Sequence, residues 1–163
     1  MNFEAKKDFT VKLITNLFNI GSLIPLILYF YLPHKNPVTL LVFSIMIITS
    51  LLTWFFSPVS YQITETKINI LRPIKNIEIE LSKIKEIKKI GKEDLKGAIR
   101  LFGSGGLYGF FGLFYKKDLG KFYAYCSNSS DLVLIKSDKL FLISPSQPEV
   151  FISYVKEKAS IKI

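Results

Sequence analysis

Basic side chains crowd one stretch of this sequence, and the chemistry they offer is attraction to anions. Between positions 83 and 100 seven basic residues stand against three acidic ones, and the seven are Lys83, Lys85, Lys88, Lys89, Lys92, Lys96 and Arg100. Near an anionic membrane each basic side chain contributes about 1 kcal/mol to binding. The stretch therefore predicts either a face for anionic lipid headgroups or an ordinary solvated charged face. Nucleic acid is not predicted, because few aromatic side chains stand among these lysines for bases to stack on.

Nucleophilic and metal-binding side chains are scarce. Cys126 is the only cysteine and His34 the only histidine. Neither an internal disulfide nor a structural zinc site is expected from such a set, and a reducing compartment fits it best. Cys126 has no neighbouring base to activate it, so we expect a buried structural thiol. With no acid–base pair evident, we predict a protein that is not an enzyme and needs no cofactor.

A glycine-rich run between positions 103 and 114 could cradle a phosphate. Its glycines are Gly103, Gly105, Gly106, Gly109 and Gly112. A Walker loop needs Gly-Lys followed by Ser or Thr, and a dinucleotide fingerprint needs a glycine where Tyr108 stands. Neither motif is present. Glycines interleaved with leucine and aromatic residues favour a sharp bend, a bulge or a close approach of two backbones.

Composition separates this chain from an ordinary soluble domain. Its 163 residues are 49% hydrophobic with a mean hydropathy of +0.31, yet 21% are charged and the net charge is +9. Apolar and charged residues must therefore be segregated along the chain, and a globally disordered protein is excluded.

Two uncharged runs, residues 13–32 and 38–56, are each long enough to cross the hydrocarbon core of a bilayer as a helix. The few residues between them predict an antiparallel helical hairpin. Basic residues flank its outer ends: Lys6, Lys7 and Lys12 before it, and Lys67, Arg72 and Lys75 after it. Lys35 alone stands in the turn. The positive-inside rule then predicts a multi-pass protein of the cytoplasmic membrane with both termini cytoplasmic.

Polar residues in the first run, Asn16 and Asn19, raise the alternative of a transport site. Neither run contains an ionisable residue, and two helices cannot form a transporter alone. We expect the asparagines to reach headgroups or the partner helix. The predicted organisation is thus a membrane anchor at residues 1–57 and a cytoplasmic domain at residues 58–163. Small residues at Gly21, Ser22, Ser44 and Ser50 leave open whether the hairpin forms homo-oligomers.

The last hundred residues alternate between apolar and polar side chains, which is typical of half-buried antiparallel strands. Strands are predicted around residues 61–63, 68–70, 77–81, 121–126, 131–136 and 139–144. Residues 81–90 carry isoleucine and leucine at every third position, which predicts a short helical turn or an irregular sheet edge. From Ser146 the pattern Ser-x-x-Glu, with Glu149 in the fourth place, predicts a capped C-terminal helix.

The order of these features resembles the bacterial pleckstrin-homology-like domain family. The resemblance covers residues 58–158 and is carried by IEIELSKIKEI, RLFGSGGLYGFFGLF, GKFYAY and LFLISPSQPEVFISYV in that order. It implies a mainly-β domain of about seven antiparallel strands in a partly open barrel, capped by one C-terminal helix. It also implies a binding or scaffolding role rather than catalysis, and members with one or two N-terminal membrane helices are common in that family.

These observations predict a membrane-tethered module at the inner face of the cytoplasmic membrane. We expect it to capture a protein partner through an exposed surface or a sheet edge. The alternative is recognition of anionic lipid headgroups by the basic residues of positions 83–100.

Overall fold

The computed structural model describes residues 1–32 and 35–159, in which apolar helices near the N-terminus are joined to a domain of two β-sheets and a C-terminal helix. The helices are α1 (Phe9–Gly21), α2 (Ile24–Tyr31), α3 (Pro37–Phe56) and α4 (Pro148–Ala159). The strands are β1 (Asn2–Glu4), β2 (Ser60–Ile63), β3 (Lys67–Leu71), β4 (Ile77–Glu80), β5 (Glu86–Ile90), β6 (Ile99–Gly105), β7 (Phe110–Lys116), β8 (Gly120–Cys126), β9 (Leu132–Lys136) and β10 (Leu140–Ile143).

The predicted pair of apolar helices is confirmed. α1 and α2 together form one apolar stretch, Phe9–Tyr31, and α3 forms a second, and both are long and apolar enough to cross a membrane. The first is interrupted at Ser22 and Leu23, just before Pro25, which takes a first-turn position of α2 where its missing N–H is not needed. His34 lies outside the described residues.

β1 was not predicted from the sequence. It pairs antiparallel with β2, with Phe3 opposite Tyr61, and extends a four-stranded sheet in the order β1-β2-β3-β4. β1 precedes the first apolar helix and β2 follows the last one. Their pairing therefore holds both ends of the helical hairpin in the same sheet, on the same side of the helices.

The second sheet has six strands in the order β5-β9-β10-β8-β7-β6. All its neighbours are antiparallel except β8 and β10, which run parallel. The main core lies between the two sheets, where Tyr61 and Ile70 from one meet Val133 and Ile143 from the other. α4 closes this core with Phe151, whose ring meets that of Phe3 edge-on at 5.1 Å between centroids. The mainly-β domain with a C-terminal helix is thus confirmed.

Three details differ from the expected pattern. Within residues 58–159 nine strands are described where about seven were predicted, and β1 adds a tenth. Residues 81–90 form one 3-10 turn, Leu81–Lys83, and then the edge strand β5. The helical turn and the sheet edge, predicted as alternatives, therefore both occur, one after the other. The predicted capping box is wrong: the Ser146 N–H donates to Glu4 O at 3.1 Å, and the Glu149 carboxylate pairs with Lys89 of β5.

Candidate functional site

The tip of the β6–β7 hairpin lies between the two apolar helices. Tyr108 is at its centre: the Tyr108 hydroxyl accepts a hydrogen bond from Asn19 Nδ2 of α1 at 3.0 Å and lies 3.0 Å from Ser50 Oγ of α3. Ser50 Oγ also donates to Asn19 Oδ1 at 2.8 Å, which closes a three-membered polar cluster. The Tyr108 backbone N–H donates to Thr15 Oγ1 at 2.9 Å. Asn19 therefore reaches the partner helix, as expected, and the hairpin tip as well.

Tyr108 has a backbone conformation that few residues other than glycine adopt. Its φ is +57°, and within the described chain it is the one residue other than glycine with positive φ. Such a conformation persists where surrounding contacts hold it. Here the contacts come from α1 and α3, and the Lys7 ammonium lies 5.0 Å from the centre of the Tyr108 ring. The hairpin tip is therefore shaped by the helices that enclose it.

Glycines allow the hairpin to be this narrow. Gly103 and Gly112 are opposite each other in β6 and β7, with φ of +108° and +119°. A Cβ on Gly103 would lie 2.1 Å from Phe111 O, and one on Gly112 would lie 2.2 Å from Phe102 O. No side chain fits at either position. The glycine run thus brings two backbones together, and it leads to a turn closed by the Gly106 N–H donating to Gly109 O at 2.9 Å.

A second attachment joins the domain to the start of α1. Asp8 caps that helix, with Oδ1 accepting from the Val11 N–H at 2.8 Å, and its Oδ2 accepts from the Ser129 N–H at 3.1 Å. Ser127 Oγ and Asn128 Nδ2 both donate to Lys6 O at 3.1 Å. The loop after β8 therefore holds the segment that leads into the first apolar helix.

The junction after α3 is equally short. Only residues 57–59 separate the end of α3 from β2, and Val59 takes part in the sheet: its N–H donates to Leu71 O at 2.9 Å and its carbonyl accepts from the Ala5 N–H at 3.1 Å. The Ile74 N–H donates to Phe55 O at 3.3 Å, so the β3–β4 loop touches the helix end. No flexible linker separates α3 from the domain.

The basic residues of positions 83–100 divide into three groups in the structure. Lys83, Lys85, Lys88 and Lys89 lie on or just before β5, one edge of the six-stranded sheet. Three of these four are ion-paired: Lys83 with Glu80 and Asp138, Lys88 with Glu86 at 2.7 Å, and Lys89 with Glu149. Because β5 and β6 form opposite edges of the sheet, Arg100 on β6 is separate from this group.

Lys92 and Lys96 form the second group, in the segment between β5 and β6. This segment covers the outer face of the six-stranded sheet and encloses a cavity of about 490 Å³. The cavity is mainly apolar, with Leu95, Phe114 and Phe122 among its lining side chains. Cys126 also lines it and is buried, with Sγ donating to Leu142 O at 3.4 Å. Burial raises the pKa of the Cys126 thiol well above its usual range, which is the opposite of what a nucleophile requires.

Arg100 forms the third group together with Arg72, one of the basic residues that follow the second apolar run in the sequence. Both line a second cavity, of about 650 Å³, between the last turns of α3 and the β6–β7 hairpin. Arg72 lies with its guanidinium 5.7 Å from the Phe56 ring centre and 5.4 Å from that of Tyr125. Partial burial lowers the pKa of Arg72 from its ordinary value, and an arginine remains charged at neutral pH all the same.

The described residues form no group of side chains typical of a metal site. Within residues 1–32 and 35–159, no three His, Cys, Asp or Glu side chains come together as a group that could hold a metal ion. The polar cluster at Tyr108 contains hydroxyl and amide groups only, which position one element against another.

The fold, with its two sheets and its single C-terminal helix, is that of a small mainly-β domain attached to a pair of apolar helices. The family model of the bacterial PH domain matches residues 59–159, and the chain belongs to that family. The resemblance noted in the sequence is thereby confirmed. No curated protein and no solved structure matches the chain significantly.

Proposed function

We propose that this chain is a membrane-tethered, non-catalytic module whose PH domain is held in one orientation at the inner face of the cytoplasmic membrane and captures a protein partner there. Membership of the bacterial PH family supports a binding or scaffolding role. The two helices long enough to span a bilayer supply the tether. The excess of lysine and arginine on the domain side of both helices supports the cytoplasmic orientation.

The observation that carries the proposal is the Tyr108 cluster. Ser50 lies six residues before the end of α3, which places the cluster about 9 Å along the helix axis from that end. The hairpin tip thus reaches past the helix end and is hydrogen-bonded to both helices at that depth. Together with the three-residue junction at residues 57–59, this leaves the domain little freedom to rotate. Such an arrangement suits a platform that presents one surface at a fixed height above the membrane.

The surface best suited to a protein partner is the free edge of β6. Within the described chain β6 pairs with β7 alone, so its other side offers unpaired backbone groups to an added strand. Three apolar side chains are exposed on it: Ile99, Leu101 and Phe102, the last with 77% of its surface accessible. Exposed apolar side chains beside a free strand edge are typical of a protein-binding surface.

Site-specific photocrosslinking in the native membrane tests this proposal. A photoreactive amino acid at Ile99 is expected to give a discrete protein adduct, whereas the same group at Val150, an exposed apolar residue of α4, serves as the control and gives none. The chain must also stay in the membrane fraction after alkaline carbonate washing. Adducts with lipid alone at Ile99, or release of the chain by carbonate, would contradict the proposal.

A further inference from the structure

The cavity between α3 and the β6–β7 hairpin shares Phe102 with the exposed residues of β6, but its chemistry differs from that of the strand edge. Thr49, Leu52, Thr53 and Phe56 line it on the helix side, and Phe102, Leu113 and Tyr125 are among the residues that line it on the sheet side. Its volume of about 650 Å³ lies within the range of small-molecule sites. Thr49 lies seven residues before the end of α3, so the cavity extends about 10 Å along the helix.

Arg72 is held in place at this cavity before any ligand is present. Its Nε donates to Lys75 O at 2.7 Å, and its guanidinium plane lies beside the rings of Phe56 and Tyr125. The terminal nitrogens are not used by these contacts. An arginine fixed through Nε and by aromatic rings can donate its remaining N–H groups to a phosphate at little entropic cost.

Arg100 lines the same cavity from β6. Its guanidinium folds over Gly105, where a Cβ would come 2.8 Å from Arg100 Nη1. The glycine therefore leaves the space that the guanidinium occupies. Two arginines from different elements, one after β3 and one on β6, thus line the same cavity because of the tertiary fold.

The charge of the cavity is uncompensated in the part of the chain that the structure describes. Arg72 and Arg100 are the charged side chains among its lining residues, and no carboxylate lines it. Neither arginine takes part in an ion pair among the described residues, in contrast to Lys83, Lys88 and Lys89 on β5. A cavity with two positive charges and no negative one is complementary to an anion.

We propose that this cavity binds an anionic phospholipid from the adjoining leaflet, with its phosphate between Arg72 and Arg100 and its acyl chains along Leu52 and Phe56 of α3. This inference rests on the proposed membrane tether, because α3 must then lie in the bilayer. The mainly apolar lining of the cavity suits the glycerol and first methylene groups of a lipid. A lipid with net negative charge is favoured over a zwitterionic one, because the two arginines would repel the positive group of a zwitterionic headgroup.

Electron spin resonance on the full chain in phosphatidylcholine bilayers tests the site. Spin-labelled phosphatidylglycerol is expected to show a motionally restricted component that exceeds the one from spin-labelled phosphatidylcholine. Arg72→Gln and Arg100→Gln should each lower this preference about fivefold, which corresponds to about 1 kcal/mol for one basic side chain at an anionic surface. Gly105→Ala should lower the preference as well, because the added methyl group displaces the Arg100 guanidinium although Arg100 keeps its charge.

The matched control is Lys88→Gln, which removes the same charge from the β5 edge and should leave the preference unchanged. Equal restriction of the two lipids by the unaltered chain would overturn the proposal. So would a loss in Lys88→Gln as large as in Arg72→Gln, which would assign lipid binding to the basic face of positions 83–89. Failure of the tether itself would look different, because no restricted component would be seen with any lipid and carbonate would release the chain.

Discussion

Replacing Gly112 by alanine should destabilise the fold more than its small size suggests. Gly112 faces Gly103 across the β6–β7 hairpin with φ of +119°, and a Cβ there would lie 2.2 Å from Phe102 O. Real Cβ atoms essentially never approach a heavy atom so closely. The methyl group can be accommodated only if the two strands separate by about 1 Å or if φ changes, and either change disturbs the pairing that carries Tyr108 to the helices.

Two contributions set the expected size of the effect. A φ of +119° lies outside the left-handed helical region, and such a sparsely populated backbone conformation costs an alanine about 1–3 kcal/mol. Forcing a methyl group into a closely packed site costs about a further 1–3 kcal/mol. The free energy of unfolding should therefore fall by about 2–6 kcal/mol. For a domain of roughly 100 residues this corresponds to a lowering of Tm by about 8 °C or more.

Thermal unfolding of the full chain in mild detergent, followed by near-ultraviolet circular dichroism, measures this effect. Gly120→Ala is the matched control, because Gly120 has φ of +72° and nothing within 4 Å of its Cβ position. It should show the conformational cost alone. A Tm for Gly112→Ala equal to that for Gly120→Ala would refute the argument from close backbone approach.

Three further predictions concern the cluster, the buried groups and the ion pairs. Tyr108→Phe leaves the Asn19 amide without its acceptor, which costs about 1–3 kcal/mol. The backbone amide at position 108 should therefore exchange its hydrogen about tenfold faster or more in the variant, as measured by mass spectrometry. Burial raises the pKa values of Cys126 and Tyr61, so the folded state keeps protons that the unfolded state loses above about pH 8.5, and Tm should fall as pH rises beyond that value. Iodoacetamide at pH 8 should accordingly leave Cys126 unmodified until the chain is unfolded by denaturant. Lys89→Gln removes an exposed ion pair with α4 and should leave Tm unchanged within error.

Much of this fold could be predicted from short-range patterns in the sequence. The two apolar runs predicted the helices because a membrane-length helix needs nothing more than about twenty consecutive apolar residues. Alternation at Ile68 and Ile70, or at Ile77 and Ile79, predicted strands because the side chains of a strand point to opposite faces in turn. The C-terminal helix was predicted from the Ser-x-x-Glu pattern that begins at Ser146, and the helix is present although Glu149 pairs with Lys89 rather than capping it.

Other features had no local signal. β1 holds a single apolar residue, Phe3, between Asn2 and Glu4. A single apolar residue cannot show the alternation from which a strand is predicted. The basic run of positions 83–100 looked like one surface because its members are neighbours in sequence. The sheet order separates them, since β5 and β6, which follow each other along the chain, form opposite edges of the six-stranded sheet.

By itself the sequence determined the kind of protein this is: two membrane-length helices, a mainly-β domain of the bacterial PH family and a closing helix. Those properties depend on the order of apolar and polar residues over short distances. Tertiary structure alone decided that Tyr108 meets Asn19 and Ser50, and that Arg72 and Arg100 face one cavity. The residues of each of these pairs are 28 or more positions apart. Their proximity depends on how the strands are ordered and registered, which no local pattern specifies.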